Sequence, residues 1–320
     1  MFTEARLYSY TSYNMVSKKI NDCISALYVN GMTGRQLRVP GPDKNGHEFF
    51  VVYGHHSSLE RWWGLAQAFA DYGTVVMPDL PGFGGMDSFY SIGQKPTLDA
   101  YADYIASLIK MRYKHRKVTL VGISFGFIVL TRMLQRHPSL VSRVEILVSA
   151  AGFVHKSDFK FTKLRRNEYM LLTNVFKHRP FNWVFRYAFL NKYMLRAAYS
   201  KTHNARVKFA EAGSDKTKFN QMMDMEIALW QNNDVRTYMQ TTIEMLTVDN
   251  TKKPIDTPVW YIYTEEDNYF RTDKVDQHLR QVFDAVHPAK IPLKAHVVSV
   301  VATKQEAASL IPSTLRKMLK

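Results

Sequence analysis

Apolar and polar positions change their period several times along the chain, and the changes mark out its elements. Residues 25–29 and 36–39 read as extended segments. They are joined through Asn30-Gly31, a pair that favours a tight hairpin because both residues accept positive φ. Residues 1–22 form a helical or irregular lead-in, and residues 40–46 have loop chemistry. Continuous apolar runs then recur at 48–53, 74–77, 118–123, 144–149 and 259–263. Runs of this length without alternation are the mark of strands buried on both faces. Between the runs, Trp62, Trp63, Leu65 and Phe69 sit in one helical stretch. Leu98, Tyr101, Ile105, Leu108 and Ile109 form the apolar face of the next, near 3.6-residue spacing. A helix is expected over 272–286, a last strand over 295–301 and a closing helix over 306–320.

Strands alternating with helices place the chain in the α/β class, with a mainly parallel, twisted sheet and helices on both faces. Ligands of such sheets bind at the carboxyl ends of the strands, where Gly54, Asp79, Ser124 and Gly152 would gather. From 155 to 247 the strand rhythm stops. That stretch is helical, basic and aromatic, and is expected as an inserted helical cap between two parts of one core, 1–154 and 248–320.

Composition narrows the picture only a little. A chain of 320 residues can bury a large core, and 46% hydrophobic with 22% charged residues is ordinary for a globular protein. No apolar run reaches membrane-spanning length, and the first residues do not resemble a secretory leader. Cys23 is alone, so neither an intrachain disulfide nor a cysteine metal cluster can form. These features fit a cytoplasmic protein. The formal net charge of +15 draws anionic partners without naming them. The basic-aromatic interleaving of the cap fits an apolar substrate pocket, an anionic membrane surface, or nucleic acid, in that order. Nucleic acid comes last because no nucleic-acid-binding motif accompanies the charge. Oligomeric state leaves no mark on the sequence.

The chemistry centres on Gly122-Ile123-Ser124-Phe125-Gly126, where a buried strand passes at once into a helix. Glycines two residues either side of Ser124 allow the sharp turn that exposes a nucleophilic serine. Tyr53-Gly54-His55-His56-Ser57-Ser58 and Pro78-Asp79-Leu80-Pro81-Gly82-Phe83-Gly84 precede it at ordinary spacing. Together the three motifs resemble the α/β-hydrolase superfamily, over the sheet on both sides of the insertion.

The resemblance implies an α/β-hydrolase fold and an esterase-like serine hydrolase. Its substrate would be a small-molecule ester, amide or lactone with an apolar acyl part, and it would use no cofactor and no metal. It implies Ser124 as nucleophile, the backbone amides of His55 and Phe125 as oxyanion donors, and Asp267 as the acid after strand 259–263. Tyr53 stands where the family usually has histidine, and Tyr53 and His56 are expected beside the substrate. Asp79 is expected to cap its turn. His55-His56 lacks further ligands at metal-binding spacing.

The base is the difficulty. The loop in which the family carries its histidine corresponds to 302–309, which has none. His296 lies 29 residues past Asp267, a usual family distance, and is taken as the base. For that, the valine-rich run 297–301 beside it, which reads as strand, would have to leave the sheet. His55, His56, His155 and His287 are the other imidazoles to consider. Without a base, the chain would instead be a catalytically degenerate hydrolase-fold protein that binds a ligand, lipid surface or partner through its basic cap.

Overall fold

The computed structural model describes residues 17–42, 47–201, 215–264, 266–292, 296 and 302–319. A short helix, α1 (Ser17–Asn21), leads into an antiparallel hairpin of β1 (Ile24–Val29) and β2 (Met32–Val39). Asn30 and Gly31 turn it with φ of 51° and 77°, as the dipeptide foretells. The remaining strands are β3 (His47–Val52), β4 (Gly73–Pro78), β5 (Val118–Ile123), β6 (Val144–Ala150), β7 (Val259–Tyr263) and β8 (Val286–Lys290). All eight join one sheet in the order β1-β2-β4-β3-β5-β6-β7-β8, parallel from β4 to β8.

β4 and β5 are buried at every position, and so are Phe49 to Val52 of β3. Each fully buried large apolar side chain contributes about 1.5–3 kcal/mol, so these inner strands hold the core together. Helices α2 (Trp63–Phe69), α3 (Leu98–Arg112) and α4 (Phe125–Arg136) pack on the sheet or on each other. The α/β class and the mostly parallel sheet are as the hydrophobic pattern requires.

Between β6 and β7 the described residues from 163 to 247 are mainly helical. This stretch comprises α5 (Lys163–Phe176), α6 (Arg179–Val184), a π-turn at Phe185–Phe189, α7 (Lys192–Lys201), α8 (Lys216–Asn232) and α9 (Val235–Thr247). It has an apolar cluster of its own, built on Leu190, Leu195, Met222, Leu229 and Val235. No helix among the described residues is long and apolar enough to cross a membrane.

The C-terminal part departs from expectation. Helix α10 ends at Val282 rather than at 286, and β8 takes the following residues. Val-His-Pro-Ala-Lys hides its strand character because only Val286 and Ala289 are buried and Pro288 cannot donate. As the last strand in the order it is an edge, where a missing N–H is tolerated. Residues 297–301, expected as strand, lie outside the described residues. The expected closing helix is two short ones, α11 (Lys304–Ser309) and α12 (Ser313–Met318), separated at Pro312, which disfavours helix before it.

Candidate active site

β5 carries the chain straight into α4 through Ser124, whose φ of 49° and ψ of −111° are strained for a residue with a side chain. The glycines around it make this turn feasible. A Cβ on Gly126 would stand 2.0 Å from the Val52 carbonyl oxygen, and one on Gly122 would stand 2.6 Å from Phe127 Cα. Only hydrogen fits there, so strand and helix close on each other and leave Ser124 at the strand end.

His296 stands beside it. Its Nε2 lies 3.0 Å from Ser124 Oγ, and its Nδ1 lies 2.6 Å from Asp267 Oδ2. The acceptor at Nδ1 is a carboxylate, so that nitrogen carries the proton and Nε2 is left to accept from the serine hydroxyl. Tyr269 and Phe270 pack against the imidazole at ring distances of 5.3 and 5.0 Å. The amides of the same two residues donate to Asp267 Oδ1 at 2.7 and 3.0 Å. Burial by itself would raise the Asp267 carboxyl. The bond and charge of His296, with the two amides, outweigh burial and hold it below the usual carboxylate range. A charged acceptor is thereby kept behind the imidazole. Lys160 adds a tie from the start of the helical segment, its Nζ donating to the Asp267 carbonyl at 2.6 Å.

Of the histidines considered from the sequence, His296 is the one bonded to Ser124 among the described residues. It sits in a bend rather than in a strand. His287 is exposed on β8, its ring 5.0 Å from that of Trp260. His155 joins Asp158 and His278 in a separate cluster. Asp158 is fully buried, accepts the Val154 and His155 amides, and pairs with His278 Nδ1. The His155 Nδ1 in turn accepts the Ser157 amide. Asp158 and the two histidines thus form a hydrogen-bonded cluster where the helical segment leaves the sheet.

The expected oxyanion donors lie where backbone can reach the serine. Phe125 opens α4, so its N–H has no acceptor within the helix. A Cβ on Gly54, next to His55, would lie 3.5 Å from Ser124 Cβ, which brings the His55 segment against the nucleophile. The His55 side chain is turned to the helical segment instead. The Thr241 hydroxyl donates to the Thr237 carbonyl, so it accepts from His55 Nε2 at 2.8 Å. The ring packs among Phe83, Phe125 and Tyr238. Burial drives its pKa down to about 3, with a bond to the Tyr238 backbone opposing, so His55 stays neutral.

His56 has a φ of 54° and lies under Trp230 at 4.2 Å, with Asn233 Nδ2 3.2 Å from its Nδ1. Tyr53, expected beside the substrate, is wholly enclosed. Its hydroxyl donates to Asp79 Oδ1 at 2.9 Å and accepts the Leu80 amide at 2.7 Å, so it braces the turn rather than a ligand. Asp79 also receives Arg35 Nε at 2.9 Å. Burial pushes its carboxyl up to about 7 in spite of Arg35. It is a buried structural residue, but its carboxylate is bonded to the Tyr53 and Arg35 side chains rather than to the amides of the turn it was expected to cap.

Sequence reasoning did not reach Trp230, Asn233, Tyr238 and Thr241, which hold both glycine-rich loops from above. Asn233 Oδ1 accepts the Gly84 amide at 2.8 Å, and the Asp234 amide donates to the Gly82 carbonyl. Nothing in the local periodicity of α8 and α9 marks these contacts, because they are made across 149 to 186 residues of chain. On the other side, a narrow apolar cavity of about 60 Å³ adjoins His296. Trp62, Leu65, Ile123, Ile262, Ile291 and Leu310 are among its lining.

A mostly parallel sheet that presents a strained serine at a strand end, with a histidine and a buried carboxylate beyond it, defines a hydrolase scaffold of the α/β type. More particularly, the chain belongs to the alpha/beta hydrolase family, whose pattern matches residues 40–302. Uncharacterised proteins of Mycobacterium tuberculosis and Mycobacterium bovis are 34% identical over 122 residues, 37% of this chain and 32% of theirs. The match therefore spans about a third of those relatives. Among solved structures, a carboxylesterase of Nitrososphaera gargenis superposes with a TM-score of 0.63 at 14% identity, covering 92% of this chain and 98% of that one. A thermophilic esterase of Thermogutta terrifontis gives 0.58 at 13%, over 92% and 96%. MenH of Staphylococcus aureus gives 0.60 at 13%, over 89% and 98%. At such identities the likeness is one of fold.

Proposed function

We propose that this protein is a serine hydrolase that cleaves a carboxylic ester, or less readily an amide or lactone, with an apolar acyl part. The observation that carries the reading is the unbroken chain of hydrogen bonds from Ser124 through His296 to Asp267. Ser124 Oγ attacks the carbonyl carbon while His296 Nε2 takes its proton. The amides of Phe125 and His55 receive the negative charge that develops on the carbonyl oxygen. His296 returns the proton to the departing alcohol, leaving an acyl-serine. Water then attacks that acyl group by the same route and frees the acid. Asp267 keeps the imidazole in the required tautomer and stabilises its charged form.

The helical segment 155–247 acts as a cap, since α8 and α9 close over the His55-His56 loop. The apolar cavity beside His296 offers several water-sized volumes to an acyl chain. The degenerate-protein alternative rests mainly on the want of a base, and His296 within reach of Ser124 favours the hydrolase reading over it.

The test is labelling with a fluorophosphonate probe and hydrolysis of p-nitrophenyl esters of graded chain length. Ser124→Ala is expected to abolish labelling and to lower hydrolysis by roughly 10⁴-fold or more. Labelling that survives the substitution, or is absent from the unmutated protein between pH 6 and 9, overturns the proposal.

A further inference from the structure

The helical segment has a surface that its packing does not explain. Among the described residues sixteen large hydrophobic side chains are exposed, and eleven of them lie between 164 and 194. Leu164, Leu171 and Leu172, at 71, 67 and 51% exposure, recur at helical spacing along one stripe of α5. The same helix turns Met170 and Tyr169 inward against the core, so the stripe is additional to the face it buries. Trp183 and Tyr187 follow, each 63% exposed and with rings 5.1 Å apart, and then Tyr193 at 73%. Soluble monomers rarely leave so much apolar surface uncovered.

Charge is concentrated in the same place. Residues 160–199 carry nine lysines and arginines against one acid, Glu168, a net of +8 out of the chain's +15. Lys163, Arg166 and Arg179 have no carboxylate partner among the described residues, and Lys192 lies 5.1 Å over the Tyr193 ring. An acidic protein would satisfy the cations and leave the leucine stripe and the tryptophan exposed. A second copy of this chain would cover the apolar residues but oppose like charges. One partner satisfies both features. The surface of an anionic bilayer takes aromatic and aliphatic side chains at its headgroup boundary and pairs lysine and arginine with its phosphates.

We propose that α5, α6, the π-turn and α7 form a docking surface for an anionic membrane, held by leucines and aromatics set in the boundary and by cations around them. The docking is independent of catalysis. It is therefore tested on the Ser124→Ala protein, in which turnover of lipid cannot interfere, and its failure is read separately from that of the hydrolase reading.

Co-sedimentation is measured with vesicles of equal parts phosphatidylglycerol and phosphatidylcholine, and with phosphatidylcholine alone. Binding to the anionic vesicles is expected at low salt. It should fall steeply at about 1 M salt, where charges are screened beyond about 3 Å. Substituting Lys163, Arg179 and Lys192 together by glutamine should weaken binding about 100-fold. W183S with Y187S, at exposed positions that leave the fold intact, should weaken it at least tenfold. Equal binding to both vesicle types, or unchanged binding by the charge variant, overturns the proposal. It is also overturned if the protein pairs with itself through Trp183 in sedimentation velocity, or if it prefers a single-stranded oligonucleotide to the vesicles.

Discussion

Ser124 is held in a backbone conformation that costs about 1–3 kcal/mol, and its usefulness depends on one imidazole brought from 172 residues away. The histidines can therefore be told apart by substitution. His296→Ala should lower hydrolysis by roughly 10⁴-fold and leave the fold intact. His287→Ala, on the exposed edge strand, should have no effect on rate. His55→Ala should keep activity within about tenfold, because only its backbone amide faces the reaction. Steady-state kinetics on the three variants checks the assignment, and comparable losses for His296 and His287 would sink it.

Asp79 gives a prediction about stability. Its folded carboxyl titrates near 7 against an ordinary value of 3.8, so between those values the native state holds a proton that the unfolded state has released. Stability from this group is therefore fullest at low pH, falls as pH rises from about 4 to about 7, and is level above that. Asp79→Asn should flatten this part of the curve while keeping an acceptor for Tyr53. Thermal melts at pH 5, 6 and 7 for both proteins decide the matter, and parallel curves would count against it.

At the scale of elements, the sharpest constraint is the contact between β3 and the start of α4. Gly126→Ala would press a methyl into the Val52 carbonyl at 2.0 Å, with backbone on both sides and no flexible side chain to yield. It should destabilise the protein by about 3 kcal/mol or more, seen as a lowered denaturant midpoint. An unchanged midpoint would mean that strand and helix are not so closely joined. β8 shows the opposite situation. Its two buried positions and its Pro288 give so weak a strand pattern that no strand is expected there and the preceding helix is drawn on to 286, yet pairing with β7 makes it a strand. Helix α5 is a third case. Its exposed leucine stripe is as regular as a buried one, and periodicity alone cannot say which of two apolar stripes meets the core.

At the scale of the whole molecule, the chain carries more than half of its net charge on an eighth of its length. Its charge and its exposed apolar surface coincide on one segment, opposite in composition to the inner strands. Salt sensitivity of vesicle binding is the whole-molecule expectation that follows, with the outcomes set out above.

Much of this was legible beforehand. Val118 to Ile123 had to be a buried strand, Gly122 and Gly126 had to flank a sharp turn, and Asn30-Gly31 had to close a hairpin. Each of these follows from neighbours along the chain, where period, glycine and β-branching act locally. The residues near 267 and 296 were legible only as candidates, since an acidic loop and a histidine near a valine run have ordinary readings too. Tertiary structure alone decided that His296 and Asp267 meet Ser124, that Tyr53 belongs to the Asp79 turn, and that Asn233, Tyr238 and Thr241 hold the glycine-rich loops. The physical reason is distance along the chain. Hydrogen-bond partners separated by 26 to 186 residues leave no trace in local periodicity, because the sheet that brings them together is itself the product of all its strands.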